Sequence, residues 1–292
     1  CYDYFCRCLE DPSLEHITCL RNPAVLEEET MALRPAPQAK KVLIAGGGIA
    51  GIEAADALYK RGHHPILCEA GDTLGGQFVL AGAAPRKGDF QRAAYMAAEN
   101  IRDLGVEIRT NTPVTPALIA AEKPDAVIIA VGAHPVKPPI KGIDRAMNAL
   151  EAYHSMDRIG KRVVLAGGGL GGCEVGLHLA EHGHDVTVVE MQDMMAFETF
   201  GYYRNALLDE MDKRGLKQML HTKVLEFTAE GVVVERDGRA ELVPADTCIY
   251  SMGMKADQAS VQEILKMAGD IKTYVVGDCD RAGKVGDAVH GG

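Results

Sequence analysis

The 292-residue chain carries 31 basic against 41 acidic side chains, a net charge of −10 with no basic run, which argues against binding a nucleic-acid phosphate backbone. Hydrophobic residues reach 47% while aromatics are only 5%, Trp is absent and Gly numbers 32, a balance that suits a two-domain α/β protein better than a β-sandwich. No apolar stretch reaches the roughly 18 residues of a membrane span and no signal peptide opens the chain, so a cytoplasmic setting is expected.

Residues 1–30 hold Cys1, Cys6, Cys8 and Cys19. A cytosolic chain keeps thiols reduced, so a cluster of this kind points to a metal rather than to disulfides. Cys68, Cys173, Cys248 and Cys279 are scattered through apolar runs or beside glycines and read as core packing. The chain opens inside the cysteine cluster and closes on Gly291-Gly292 where a helix should be starting, and it is expected to be a piece of a longer protein.

Residues 31–39 carry two prolines and read as a linker. A strand is predicted over 41–45, running straight into Gly46-Gly47-Gly48-Ile49-Ala50-Gly51, with a helix over 50–61 and a strand over 65–69. A tight turn follows at Leu74-Gly75-Gly76-Gln77, then a helix over 89–104 and strands over 106–109 and 126–131, the last ending in Gly132. The pattern restarts with a strand over 162–166, the run Gly167–Gly172, a helix over 173–183 and a strand over 185–190. A helix over 200–214 comes next, with strands over 216–227, 231–236 and 247–250, the last ending near Gly253. A final strand over 273–276 leads into Gly277-Asp278. Strands alternating with helices predict parallel sheets, and the two βαβ units are a repeat of whole domains.

Each glycine run is followed by a carboxylate at the same separation, Glu69 after Gly46 and Glu190 after Gly167. In such a run the first glycine permits the strand-to-helix turn, the second lets the backbone approach a pyrophosphate, and the third lets helix pack on strand. The pyrophosphate then rests on the helix N-terminus, where free N–H groups and the dipole favour an anion. Gly46, Gly48 and Gly51 with Glu69, and Gly167, Gly169 and Gly172 with Glu190, therefore predict two dinucleotide sites in one chain, an arrangement for moving electrons between them. An acid at Glu190, followed by Met191, Gln192 and Asp193 with no Arg or Lys, favours NADH over NADPH. Asp278, after the terminal strand, is placed to hold the ribityl hydroxyls of FAD, to cap the next helix, or both. That puts FAD on the first loop and returns the end of the chain to the first domain. The expected fold is α/β, with two Rossmann-like dinucleotide-binding domains. The NAD(P)H-binding domain (156–264) is inserted in a discontinuous FAD-binding domain (31–155 and 265–292), behind the cysteine-rich segment (1–30).

With these residues together, the chain resembles the C-terminal half of the 2,4-dienoyl-CoA reductase and trimethylamine dehydrogenase family, multidomain relatives of old yellow enzyme. The matching residues are Cys8-Leu9, Cys19-Leu20-Arg21-Asn22-Pro23, Gly46–Gly51, Leu74-Gly75-Gly76-Gln77, Ala83-Ala84-Pro85, Ala130-Val131-Gly132-Ala133, Gly167–Gly172 with Glu174, and Gly277-Asp278-Cys279. They span nearly the whole chain. The resemblance implies an N-terminal TIM barrel, outside this chain, that carries FMN and the substrate site. It implies a [4Fe-4S] cluster between barrel and FAD, and a relay from NADH through FAD and the cluster to an FMN that reduces C=C bonds. Cys1 and Cys8 keep the family's first-to-third cysteine spacing, but Tyr4 stands at the second position and Cys6 sits between. Four thiolates remain, the number such a cluster needs.

The resemblance also places Gly75, Gly76 and Gln77 against FAD, the Val114 backbone at the adenine, Gly132 and Gly253 at close backbone approach to the cofactors, and Glu174 near the nicotinamide. The residues themselves also allow a plain turn at Gly75 and Gly76, a solvated Gln77, core packing for Val114, strand ends at Gly132 and Gly253, and a solvated helix position for Glu174. No Ser-His-Asp set and no Cys-x-x-Cys pair stands in the nucleotide domains, which argues against a disulfide relay of the thioredoxin reductase kind. Hydride transfer needs alignment and exclusion of water rather than a protein acid or base, so no catalytic side chain is expected. Two other readings stay open: a first site holding ADP as a structural ligand, as in the trimethylamine dehydrogenase branch, and a non-catalytic nucleotide-binding scaffold.

Overall fold

The computed structural model describes residues 19–199 and 201–292, so Cys1, Tyr4, Cys6 and Cys8 lie outside the described residues. In chain order the first elements are β1 (Lys41–Ala45), α1 (Ile49–Lys60), β2 (His64–Cys68), α2 (Gln77–Ala81), α3 (Gly88–Asp103), β3 (Glu107–Arg109), α4 (Pro116–Glu122), β4 (Ala126–Ile129) and β5 (Ala133–Pro135). They are followed by β6 (Met147–Asn148), α5 (Ala149–His154), β7 (Arg162–Ala166), α6 (Leu170–Glu181), β8 (Asp185–Val189), α7 (Gly201–Lys213) and β9 (Lys217–Met219). The chain finishes with β10 (Thr222–Phe227), β11 (Gly231–Arg236), β12 (Arg239–Pro244), β13 (Thr247–Tyr250), β14 (Met254–Ala256), α8 (Gln258–Ala268), β15 (Lys272–Val275) and α9 (Val285–Gly291).

The chain divides into two compact units, the second set within the first: residues 135–254 with 83–86, and the remainder on either side. The first unit is built on a five-stranded sheet in the order β15-β4-β1-β2-β3, in which every pair is parallel. β1 is central because its run Val42-Leu43-Ile44-Ala45 is apolar on both faces, the pattern of a strand buried between helices. Ile44 and Val42 face a core shared with Ile52, Ala55 and Ile101, and Leu43 faces one shared with Val127, Val261 and Ile264. α3 buries Phe90, Ala93, Ala94, Ala97, Ala98 and Ile101, the stripe of a helix lying on a sheet.

The second unit repeats the plan with a parallel sheet ordered β6-β13-β7-β8-β9. β7 holds the central place that β1 holds in the first, for the same reason of an apolar run, Val163-Val164-Leu165-Ala166. An antiparallel meander, β10-β11-β12, is added to this unit, and Asp237-Gly238 closes its second hairpin with φ of 50° and 72°. The restart of the pattern at Arg162 is this unit's central strand, while the unit's main span starts at Pro135, because β6 pairs with β13 and Ala152 packs in its core. Likewise α8, over which the sequence predicts no helix and whose residues 258–264 are expected in the NAD(P)H-binding domain, clusters with the first unit, with Val261, Ile264 and Ala268 buried. Among the described residues no helix is long and apolar enough to cross a membrane.

Candidate functional site

The two glycine loops are built alike. In the first, Gly46 leaves β1 with φ of 111°, a conformation closed to ordinary side chains, and its N–H donates to the Cys68 carbonyl at 2.8 Å. In the second, Gly167 leaves β7 with φ of 109° and its N–H donates to the Val189 carbonyl at 2.8 Å. A Cβ on either would strike backbone: Ala130 O at 2.3 Å for Gly46, Ser251 O at 2.0 Å for Gly167. Gly51 and Gly172 lie where a Cβ would come within 2.0 Å of the Gly46 and Gly167 carbonyls, so the helix starts tight against its own loop.

Each acid is bonded to its loop in the same manner. The Glu69 carboxylate accepts the Gly47 N–H at 2.7 Å on one oxygen and the Gly71 N–H at 2.7 Å on the other. Glu190 accepts the Gly168 N–H at 2.7 Å and the Gln192 N–H at 2.8 Å. Each ionised oxygen retains acceptor capacity, so both carboxylates are oriented by backbone and still able to receive a ribose diol. Glu190 is 7% exposed and Glu69 half-buried.

Other predicted residues are brought to the first loop. Gly75 has φ of 105°, donates its N–H to the Gly47 carbonyl at 2.8 Å and forms a bridge with Gly48. A Cβ on Gly76 would lie 3.1 Å from the Gly48 Cα, and the Gln77 side-chain amide donates to the Ala133 carbonyl. Gly277 packs against α1, a Cβ there meeting Ala50 at 2.6 Å, which brings Asp278 to the same loop. Asp278 accepts the Gly283 N–H at 3.2 Å, and burial pushes its carboxyl above the usual carboxylate range. Val114 packs in the first unit's core, two residues after Thr112, whose N–H donates to the Glu69 carbonyl. Gly132 and Gly253 each stand two residues beyond the carbonyl that abuts Gly46 or Gly167, and both have positive φ.

Glu174 is not solvated. It lies 7% exposed on α6 and accepts the Tyr203 hydroxyl at 2.7 Å, while burial and this carboxylate push the Tyr203 phenol upward. Glu53 occupies the matching position on α1, and burial raises its carboxyl, an effect only partly offset by Arg21. The register of the two glycine runs would have picked out Glu53 from the sequence.

Cys68, Cys173, Cys248 and Cys279 are buried free thiols. Burial pushes them up, to about 11 for Cys68 and Cys248 and about 12 for Cys173, so none is poised as a thiolate. Of the predicted cluster ligands Cys19 alone is described. Its carbonyl lies 2.9 Å from His290 Nε2, and the neighbouring Arg21 guanidinium donates to the Ala93 carbonyl at 3.3 Å.

A family described as pyridine nucleotide-disulphide oxidoreductase matches residues 40–281. A bilirubin reductase of Mediterraneibacter gnavus is 34% identical over 280 residues, 94% of this chain and 43% of the relative. An NADH oxidase of Thermoanaerobacter brockii is 34% identical over 285 residues, 94% of this chain and 44% of the relative. A solved 2-naphthoyl-CoA reductase in complex with 2-naphthoyl-CoA superposes with a TM-score of 0.89 at 30% identity, over 94% of this chain and 42% of that one. The chain thus spans less than half the length of each of these proteins.

Proposed function

The chain belongs to the pyridine nucleotide-disulphide oxidoreductase family, and from that premise we propose that it is the hydride-input half of a longer reductase, taking NADH on its second glycine loop and FAD on its first. The observation that carries this reading is the twofold construction: two loops of one geometry, each with its acid bonded to the middle glycine N–H. One such loop is a nucleotide site; two serve a transfer between nucleotides.

The first loop has the open backbone that a dinucleotide needs, which supports placing FAD there. A Cβ at Gly48 would meet no described atom within 4 Å, and Gly76 keeps the adjoining surface bare backbone. Gly46, Gly48 and Gly51 open the start of α1 to a pyrophosphate, Glu69 receives the adenosine ribose, and Asp278 receives the ribityl hydroxyls. Gly75, Gly76 and Gly132 keep side chains away from the flavin, Gln77 is steered by the Ala133 carbonyl, and Val114 lends its backbone to the adenine. On the second loop Gly167, Gly169, Gly172 and Gly253 would serve NADH in the same way, Glu190 would receive its ribose, and Glu174 would stand near the nicotinamide. When bound, FAD would supply an acceptor for the hydride of NADH, two electrons with one proton, and a means of passing those electrons on singly. The side chains bind, orient and exclude water; none need move a proton.

We place the chain in the C-terminal half of the dienoyl-CoA reductase and trimethylamine dehydrogenase group. Cys1, Cys6, Cys8 and Cys19 would hold a [4Fe-4S] cluster that would pass the electrons to an FMN-bearing TIM barrel of the parent protein, where C=C bonds would be reduced, in the cytoplasm. Support comes from the reductases among the relatives and from the share of their length that this chain spans. The test is anaerobic. The protein is saturated with FAD, freed of excess and mixed with NADH, with NADPH in parallel. Bleaching of the visible flavin band by NADH is the expected result; a retained flavin that never bleaches would overturn the reading.

Asp278 supplies a second test. Its carboxyl is raised in the folded state, so the fold binds the proton more tightly than the unfolded chain does. Its contribution favours folding at pH below the ordinary carboxylate value of 3.8 and is lost as pH rises through the raised one. Asp278→Asn is therefore expected to make the apo protein slightly more stable at pH 7 in thermal melts. It should also weaken FAD by about 10- to 100-fold through the lost charged acceptor. An Asn variant that binds FAD like the parent would remove Asp278 from the flavin site.

A further inference from the structure

The helix start on which the NADH phosphates would rest is taken by the chain itself. The Glu198 carboxylate accepts the N–H of Leu170, the first residue of α6, at 2.7 Å. The same oxygen lies 2.7 Å from where a Cβ on Gly169 would be. At the first loop the matching position is open, since a Cβ on Gly48 would meet no described atom within 4 Å. The two loops share the glycine turn and the bonds from their acids, and this carboxylate sets the start of the second helix apart from the first.

Glu198 belongs to the irregular segment 191–199, which follows Glu190 and leads to α7. The segment is pinned at its middle. Met195 is 1% exposed, the Ala196 N–H donates to the Gly168 carbonyl at 2.7 Å, and Arg204 Nε donates to the Met195 carbonyl at 2.8 Å. Glu198 itself is exposed, so rotation of its side chain alone frees the Leu170 N–H. Next to it Thr199, 4% exposed, has a buried hydroxyl without a hydrogen-bond partner among the described residues. A buried hydroxyl left unpaired costs about 1–3 kcal/mol.

We propose that Glu198 is a built-in competitor for the dinucleotide phosphates: its carboxylate closes the second loop and must swing out before NADH can bind. The proposal rests on the reading of that loop as the NADH site. Two negative groups cannot share one helix start, so affinity is lowered by the fraction of molecules in which the seat is free. In the absence of NADH the carboxylate satisfies the Leu170 N–H; with NADH present a phosphate oxygen takes its place.

The test is a titration of the FAD-saturated protein and its Glu198→Ala and Glu198→Gln variants with NADH and with ADP-ribose, read by calorimetry. Both ligands carry the pyrophosphate, so both should bind Glu198→Ala about 3- to 10-fold more tightly than the parent, and Glu198→Gln by a smaller factor. A residue that merely capped α6 would move binding the other way or not at all, and would show only as a lower melting temperature. Unchanged or weaker binding by the variants, with the parent binding normally, would overturn the proposal and leave the NADH site standing. If neither parent nor variants bind either ligand, the NADH reading falls and the proposal with it. Binding by the variants alone would support it most strongly.

Discussion

Gly46→Ala is expected to cost the first unit about 2–6 kcal/mol and to abolish flavin retention. Two effects add. At φ of 111° an alanine sits in a backbone region it rarely adopts, worth about 1–3 kcal/mol. Its Cβ would also lie 2.3 Å from the Ala130 carbonyl oxygen and 2.8 Å from its carbon. Those atoms follow directly on β4, which is paired to β1 on one side and β15 on the other, so they cannot retreat. Overpacking of this kind adds about 1–3 kcal/mol more. The sum approaches the whole stability of an ordinary domain, about 5–15 kcal/mol. Gly62→Ala is the control: φ there is 84°, but a Cβ would meet no described atom within 4 Å. It should carry the backbone cost alone, about 1 kcal/mol, and keep its flavin. Urea unfolding followed by circular dichroism measures both, since the chain has no Trp. Equal midpoints for the two variants would show that the contact with Ala130 does not constrain the loop.

Glu190→Gln should raise the KM for NADH by about 10- to 100-fold and shift preference toward NADPH, with kcat at saturation little changed. The carboxylate accepts two backbone N–H groups while 7% exposed. An amide has one oxygen, so its NH2 would face either Gly168 or Gln192, donor against donor. The variant therefore loses both a held acceptor for the ribose and the charge that repels a 2′-phosphate. Because the ribose is remote from the reacting carbon, the loss falls on binding and not on the chemical step. Steady-state kinetics with both nucleotides give the result. An unchanged NADH to NADPH ratio would mean that selectivity is set elsewhere on the second unit.

Much of this was legible because it is local. The glycine runs announce their turns, the acids follow at equal separations, and the apolar runs at Val42–Ala45 and Val163–Ala166 are central strands. Two further elements carry local signals in the sequence. Asp237-Gly238 between Gly231–Arg236 and Arg239–Pro244 is a hairpin signature. Asp257 ahead of apolar positions 261, 264, 265 and 268 is a capped amphipathic helix, its carboxylate accepting the Ser260 N–H.

The sequence by itself determined the two glycine loops, the sheets around them and the acids bonded to them. Glycine conformation, strand hydrophobicity and helix capping act over a few residues and need no distant partner. Only the tertiary structure decided what meets each loop from afar: the Ala130 and Ser251 carbonyls that forbid a side chain at Gly46 and Gly167, and Tyr203 over Glu174. It alone brought the Glu198 carboxylate to the start of α6. Such contacts join residues far apart in the chain, and their energies depend on packing and burial, which no local pattern of residues encodes.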